Sequence, residues 1–347
     1  MRFSVERLEA YVVELLTTLG VPYEHAVITA RRLVEADLRG RTGHGLIRIP
    51  QYVVRIDAGG VNLQPEVTRL HETPVSALVD GDNGLGQVVM TEAAEAAIEK
   101  ATVSGIGWVG TVRSNHAGAG GVYAALALDH DLIGVYMAVA SANVMPPWGG
   151  RDRLLGTNPI SIAIPAGTEP PFQLDIATTV ASHGAIKVLA QTGGTMPEGW
   201  VVDEEGESVT DPNLANDGFL VPIGDYKGSG LNMAIGLLAG VLNGAAFGGE
   251  VIDHRAVPNQ AANTGQAILV LRPDLFRGLE EFKSSMDVHL RALRESGNEG
   301  DVRIPGESAW EFEEEQRRNG VPVPDVLLDA LRDLGHRYEL ADTLAAQ

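Results

Sequence analysis

The residues best suited to chemistry gather in Arg113-Ser114-Asn115-His116, which follows an apolar run, Ile106 to Val112, and precedes Gly118, Gly120 and Gly121. The run reads as a buried strand, and the apolar spacing from Val122 to Leu128 reads as a helix. A histidine where a strand stops can exchange a proton near neutrality, and glycines beside it let a ligand approach the backbone. A histidine merely satisfied in a strand-end turn fits the same residues. A second histidine lies in Gly43-His44-Gly45-Leu46-Ile47-Arg48. His44 and Arg48 are four residues apart, so a helical turn places them on one face; a capped helix start with an exposed Arg is the alternative. Asp175 interrupts an apolar stretch, Phe172 to Ala177, as either a turn residue or a site residue. Lys227 stands among glycines in Gly224-Asp225-Tyr226-Lys227-Gly228-Ser229-Gly230, ahead of the apolar segment Leu231 to Leu242. Glycines and a cation at a helix N-terminus suit a phosphate or carboxylate. A solvated Lys in a Gly-rich turn is the competing account.

The elements that must position these groups follow from periodicity. Residues 4 to 20 and 23 to 40 carry apolar side chains at helical spacing, separated by Gly20 and Pro22, and predict an antiparallel helical pair. Pro50 starts a new turn. Val75 to Val79 predicts a strand, residues 88 to 103 a helix, and Ile133 to Ala140 a strand ending at Ser141-Ala142-Asn143. A long irregular piece runs from Pro146 to Pro159, and loops of this length tend to be functional. Strands are predicted at 160–164, 172–177 and 266–272, with a further strand and hairpin near Trp200. Helices are predicted at 178–189, 231–242, 276–295 and within 310–340.

Composition narrows the function. An apolar fraction of 44% and a charged fraction of 21% over 347 residues describe an ordinary globular protein. The net charge of −20 argues against nucleic acid and against an anionic membrane surface. A carboxylate substrate would therefore need a local cationic pocket. Only four of the 26 cationic residues are Lys, which draws attention to Lys227. With no Cys there is no disulfide, thiolate site or Cys nucleophile, and the nine His never fall at metal-ligand spacing, so no metal is expected. The N-terminal residues lack the apolar core of a signal peptide, and the apolar run Leu132 to Ala140 is too short to span a bilayer; a cytoplasmic location is expected. The dinucleotide fingerprint fails wherever it is tried: Val89, Met233 and Tyr123 stand where its third Gly belongs. A Rossmann domain is poorly supported.

Taken together, seven pieces in order resemble one family, the malate/L-lactate dehydrogenase-like enzymes of the second type. This group includes ureidoglycolate, sulfolactate and 2,3-diketogulonate dehydrogenases and cyclic-imine carboxylate reductases. The pieces are Gly43 to Tyr52, Arg113 to His116, Gly156-Thr157-Asn158-Pro159, Asp175 to Thr179, Pro197-Glu198-Gly199-Trp200, Lys227 to Leu231 and Pro305-Gly306-Glu307. The resemblance implies an α/β (α+β type) protein with a non-Rossmann nucleotide-binding domain on a large mixed sheet. It also implies a helical domain made from both chain ends, giving bounds of 1–70, 71–272 and 273–347. A homodimer with its active site near the interface is implied as well. Carried over residue by residue, His116 and His44 are the acid/base candidates, Arg48 the ligand of the substrate carboxylate, and Asp175 a further catalytic candidate. Ser141, Asp175, Ile176, Ala177, Lys227, Gly228 and Glu307 match cofactor-contacting positions, and Thr157 and Asn158 lie in the adjoining loop. Gly43 departs from the Ser or Thr common in the family, which removes a Ser-His relay in that form. Asn115 stands where another His is common.

The expected reaction is hydride transfer between NAD or NADP and C2 of a small 2-oxo or 2-hydroxy acid. A cyclic-imine carboxylate reductase, a cofactor-independent lyase or epimerase using His116 with Asp175, and a binding protein without activity are the rivals.

Overall fold

The structure is a computed structural model that describes residues 1–298, 300–342 and 344–345. The chain opens with β1 (Arg2–Phe3) and two packed helices, α1 (Val5–Thr18) and α2 (Tyr23–Leu38). Ser4 caps α1 by accepting the Arg7 N–H at 3.2 Å, and Leu8, Val12 and Leu15 line its buried face. Two 3-10 turns, Thr42–His44 and Leu46–Arg48, lead into α3 (Ile49–Asp57), with Pro50 in its first turn. Next come β2 (Thr68–Leu70), β3 (Ser76–Asp80), α4 (Gly86–Ser104), β4 (Ile106–Ser114) and α5 (Gly120–Ala125). The strands β5 (Ile133–Ala138), β6 (Ile160–Ile164) and β7 (Phe172–Ile176) precede α6 (His183–Thr192) and the small hairpin of β8 (Val201–Val202) and β9 (Phe219–Leu220). The rest is α7 (Tyr226–Ala239), β10 (Thr264–Leu271), α8 (Leu279–Arg294), α9 (Glu307–Asn319), β11 (Val321–Pro322) and α10 (Asp325–Arg337).

Seven strands form one mixed sheet in the order β2-β3-β4-β10-β5-β6-β7. Only β3 and β4 run parallel; the other neighbours are antiparallel. β10 arrives from far along the chain to fill the centre, with Ile268 opposite Val109 on one side and Tyr136 on the other. One face is covered by α4 and α5, where Ala93, Ala94 and Ala97 pack with Val79, Val109 and Ile268. Small side chains let a helix lie close to a sheet. On the opposite face Ile235 and Ala239 of α7 pack with Met137, Val139 and Ala267.

The chain ends pair, as the resemblance implies. β1 joins β11 antiparallel, Arg7 Nε meets Asp342 at 2.7 Å, and one apolar cluster unites α1, α2 and α3 with Val321, Leu328, Leu331 and Leu340. Each fully buried Leu there is worth roughly 1.5–3 kcal/mol. Two parts of the terminal segments pack elsewhere: β2 is an edge strand of the large sheet, and Asp287 of α8 accepts the backbone N–H of Gly167 and Thr168 in the β6–β7 loop.

Two helix starts differ by five residues from those read in the sequence. α7 begins at Tyr226, so Lys227-Gly228-Ser229-Gly230 forms its first turns instead of a preceding loop. Tertiary contact outweighs glycine's poor helix propensity here: a Cβ on Gly228 would lie 1.8 Å from the Ile223 carbonyl oxygen. α6 starts at His183, because Thr178 and Thr179 are held by bonds to the neighbouring loops. Asp175 lies inside β7, opposite Ser161, and not in a turn.

Candidate active site

Arg48, Tyr52 and Arg55 follow the helical spacing i, i+4, i+7 and share one face of α3 and its N-cap. β4 brings up the second wall. Arg113, at its end, adopts φ +52° and turns away to pair with Asp80 at 2.6 Å, while Asn115 and His116 continue toward α3. The first turn of α4 abuts this backbone. A Cβ on Gly86 would sit 2.3 Å from the Asn115 carbonyl oxygen, so only glycine lets α4 begin there and bring Gln87 beside the site. Asp37 of α2 fixes the loop carrying His44 by accepting the Leu46 N–H at 2.8 Å.

These elements bring His44, Arg48 and His116 together. The His44 and His116 rings stack with centroids 5.6 Å apart and planes 20° from parallel. His254, from the connection between α7 and β10, meets His116 edge-on at 5.8 Å. The Tyr52 hydroxyl lies 2.7 Å from His116 Nδ1 and accepts Gln87 Nε2 at 2.7 Å. Arg48 donates its Nε to the Gly43 carbonyl at 2.7 Å, and its two Nη groups make no hydrogen bond among the described residues. Arg55 is buried and donates to Asn115 Oδ1 at 2.7 Å and the Gly60 carbonyl at 2.8 Å. Among the described residues no carboxylate pairs with Arg48 or Arg55.

The cleft is therefore electropositive within an acidic chain, and its imidazoles are neutral at pH 7. Burial, then Arg48 and the other imidazoles, pushes His116 well below the usual histidine range. His254 is pushed down to about 4 by burial and then by Arg55. Desolvation by the protein packed around it, then Arg48 and Arg41, pushes His44 to about 4, although the residue keeps exposed surface. Burial raises Tyr52 to about 12, so its phenol stays protonated. Such a cleft can grip a carboxylate through the open Arg48 fork and exchange a proton with an oxygen one or two bonds away.

The remaining sequence candidates lie outside this cluster. Asp175 accepts from Ser161 Oγ and faces Arg41 Nε at 3.4 Å; no hydrogen bond or ion pair joins it to an imidazole. Ile176 ends β7 and Ala177 follows it. Ser141 opens the irregular stretch after β5 and is half-buried. Thr157 and Asn158 belong to a buried network: Thr178 Oγ1 donates to both carbonyls, and Asn158 Nδ2 donates to Asn232 Oδ1 of α7 at 2.8 Å. Asn232 Nδ2 returns to the Gly156 carbonyl at 2.8 Å. Glu307, at the start of α9, pairs with Arg294 at 2.6 Å. Lys227 is exposed in the first turn of α7, forms no ion pair among the described residues, and lies 6.0 Å from the centre of the Tyr226 ring. No hydrogen bond or ion pair connects Lys227 to the imidazoles. An unpaired ammonium at the N-terminus of a 14-residue helix rich in glycine fits an anionic nucleotide.

Tyr52, Gln87, Arg55 and His254 went unremarked in the sequence. Tyr52 and Arg55 were findable, because they repeat the face of Arg48 at helical spacing. Gln87 and His254 carry no local signal; only the packing of α4 and of the connection before β10 brings them in.

An open guanidinium fork beside imidazoles is an arrangement that can hold a small carboxylate and exchange a proton with it. The chain belongs to the malate/L-lactate dehydrogenase family, whose pattern matches residues 3–332. It is 38% identical to L-sulfolactate dehydrogenase of Methanocaldococcus jannaschii over 96% of each chain, and the solved structure of sulfolactate dehydrogenase from that organism superposes with a TM-score of 0.89 over 98% of both chains at 35% identity. Malate dehydrogenase of Pyrococcus abyssi is 36% identical over 97% of this chain and 95% of its own. Ureidoglycolate dehydrogenase (NAD(+)) of Escherichia coli O157:H7 is 36% identical over 84% of this chain and 83% of its own.

Proposed function

We propose that the protein is an NAD- or NADP-dependent dehydrogenase acting at C2 of a small 2-oxo or 2-hydroxy acid. The observation that carries this reading is the unneutralised Arg48 fork beside the His116 ring. A carboxylate grip next to a proton-exchange group is what a 2-hydroxy acid requires. Bound nicotinamide supplies the hydride in reduction and takes it up in oxidation. Arg48 holds the substrate carboxylate through two parallel N–H bonds and fixes which face of C2 is presented. In oxidation the neutral His116 ring takes up the proton of the C2 hydroxyl and becomes imidazolium, and in reduction the imidazolium returns it to the C2 oxygen, a contribution of roughly 10²- to 10⁴-fold. His44, stacked on it, is the second acid/base candidate, and Asp175 is retained only as a cofactor-side group.

Lys227 and Gly228, with Ser141, Thr157, Asn158, Asp175, Ile176, Ala177 and Glu307, are the proposed nucleotide ligands, all but Glu307 carried by the mixed-sheet unit, 71–272, without a dinucleotide fingerprint. A second copy of the chain is the proposed partner. Its support is the apolar surface at the C-terminal end of α7, the end away from Lys227, where Leu237, Leu238, Val241 and Leu242 of the helix and the following turn are exposed.

Cyclic-imine carboxylates also offer a carboxylate to Arg48. Gly43, however, brings no hydroxyl to the site, although a Cβ there would meet nothing within 4 Å. A cofactor-independent lyase pairing His116 with Asp175 is disfavoured by Asp175's bonds to Ser161 and Arg41. Screening 2-oxo acids and cyclic-imine carboxylates with NADH and NADPH, following nicotinamide absorbance, tests the reading. Reduction of a 2-oxo acid supports it; turnover without nucleotide consumption ends it.

A further inference from the structure

Two polar side chains from two elements, Gln87 of α4 and Tyr52 of α3, form an unbroken buried chain behind His116. Gln87 is fully buried and Tyr52 is 5% exposed. Gln87 Nε2 donates to the Tyr52 hydroxyl at 2.7 Å, and that hydroxyl stands 2.7 Å from His116 Nδ1. An amide nitrogen can only donate, so one lone pair of the phenol oxygen is taken by Gln87. The phenolic proton has two acceptors in reach, Nδ1 at 2.7 Å and the His116 backbone carbonyl at 3.4 Å; the short contact takes it, and Nδ1 offers the lone pair. A neutral imidazole carries one proton, and it is displaced to Nε2. Nε2 makes no hydrogen bond among the described residues and is not sealed from solvent. Gln87 Oε1, by contrast, is buried without a partner. Reversing the amide would leave its NH₂ orphaned instead, and would make the phenol donate to Gln87 and accept from Nδ1–H.

We infer that Gln87 and Tyr52 are positioning residues that fix the resting tautomer of His116, so that Nε2–H, a donor, faces the substrate oxygen. The inference deepens the proposed dehydrogenase reading and rests on it for its kinetic consequence, but the tautomer itself is independent of any substrate. In this tautomer the enzyme greets a 2-oxo acid with a hydrogen bond to its carbonyl oxygen. A 2-hydroxy acid can accept the same bond, but to give up its proton it must donate to Nε2, which becomes an acceptor only when the tautomer changes. The relay thus presets the free protein to bind the 2-oxo acid in the geometry it reacts from, and the 2-hydroxy acid in one it must leave.

The test is ¹⁵N NMR of the full-length protein labelled at the histidine ring nitrogens, with the His116 signals identified by their loss in His116→Gln. The expected spectrum shows His116 with a protonated Nε2 and a lone-pair Nδ1. A protonated Nδ1 in the unsubstituted protein overturns the inference, with or without any enzymatic activity. Tyr52→Phe removes the fixing proton and is expected to average the two tautomers. Gln87→Glu, near-isosteric and acceptor-only when ionised, is expected to move the proton to Nδ1. Kinetically, Gln87→Glu should raise KM for the 2-oxo acid by about tenfold or more while KM for the 2-hydroxy acid changes less. Equal losses for both substrates, with the tautomer unmoved, overturn the role. If no 2-oxo acid is turned over and the resting tautomer is Nε2–H, the reaction assigned above fails and the positioning inference stands.

Discussion

The imidazole cleft and the first turn of α7 carry the two halves of the proposed chemistry, and they are built differently. In the cleft nearly every polar group is held from behind: Asn115 by Arg55, Tyr52 by Gln87, and the His44 loop by Asp37. The Arg48 Nη groups are left without a partner among the described residues, and behind them Gln87 Oε1 and Arg55 Nη1 are buried unpaired. At α7 the backbone is anchored through Asn232 and Ser229, the latter accepting the Trp148 N–H at 2.9 Å, but the surface is open. Lys227 is exposed at the N-terminus of this helix, and Leu237, Leu238, Val241 and Leu242 are exposed at its other end and in the following turn. One half is pre-organised within a single chain. The other presents the kind of apolar surface that association covers, which is why a homodimer is proposed there.

Substitutions can break this comparison. His116→Ala should have the largest effect, lowering kcat by about 10²- to 10⁴-fold while leaving NADH affinity unchanged by Trp fluorescence. Near-normal turnover would transfer the role to His44. Arg48→Leu removes the carboxylate fork, and losing a charge-assisted contact costs about 1.5–3 kcal/mol; kcat/KM should fall by about 10- to 150-fold, mostly through KM. At the other half, Lys227→Ala should weaken nucleotide binding by about fivefold with little change in substrate KM. Leu238→Glu should shift sedimentation from dimer to monomer at micromolar protein. A monomeric parent protein would refute the proposed partner.

The smallest effect concerns stability against pH. His254 protonates near 4 in the folded chain, and so does His44, whereas both take a proton near 6.5 when unfolded. The unfolded state thus binds more protons between about 6.5 and 4, and stability falls as pH is lowered through that window. Each group contributes at most about 1.4 kcal/mol per pH unit, and His44, with its accessible surface, contributes less. Asp37 opposes them: burial lifts its carboxyl to about 7, so its folded form takes up protons first and gains stability on acidification. Urea melts at pH 7 and pH 5 should show a shallower acid loss in His254→Phe than in the parent. An unchanged slope would mean that His254 is not desolvated.

Local pattern determined a good deal. The apolar periodicity of α1, α2, α4, β4 and β5 is legible because each buries one continuous stripe or run, and hydrophobic burial is the largest force acting on a short segment. His116 at a strand end, and the pairing of His44 with Arg48, follow from spacing. Tertiary structure decided what spacing cannot carry. β10 enters the sheet between β4 and β5 from more than a hundred residues away, and its register depends on contacts with both neighbours. Gln87 and His254 reach the cleft only because whole elements dock, so nothing in their own neighbourhoods marks them. α7 starts five residues before Leu231, within what reads as a glycine turn, because close packing against Ile223 overrides intrinsic propensity. A sequence records which side chains are available to donate, accept or repel. Which of them share one low-dielectric volume, and therefore set each other's protonation, is fixed only when distant segments pack.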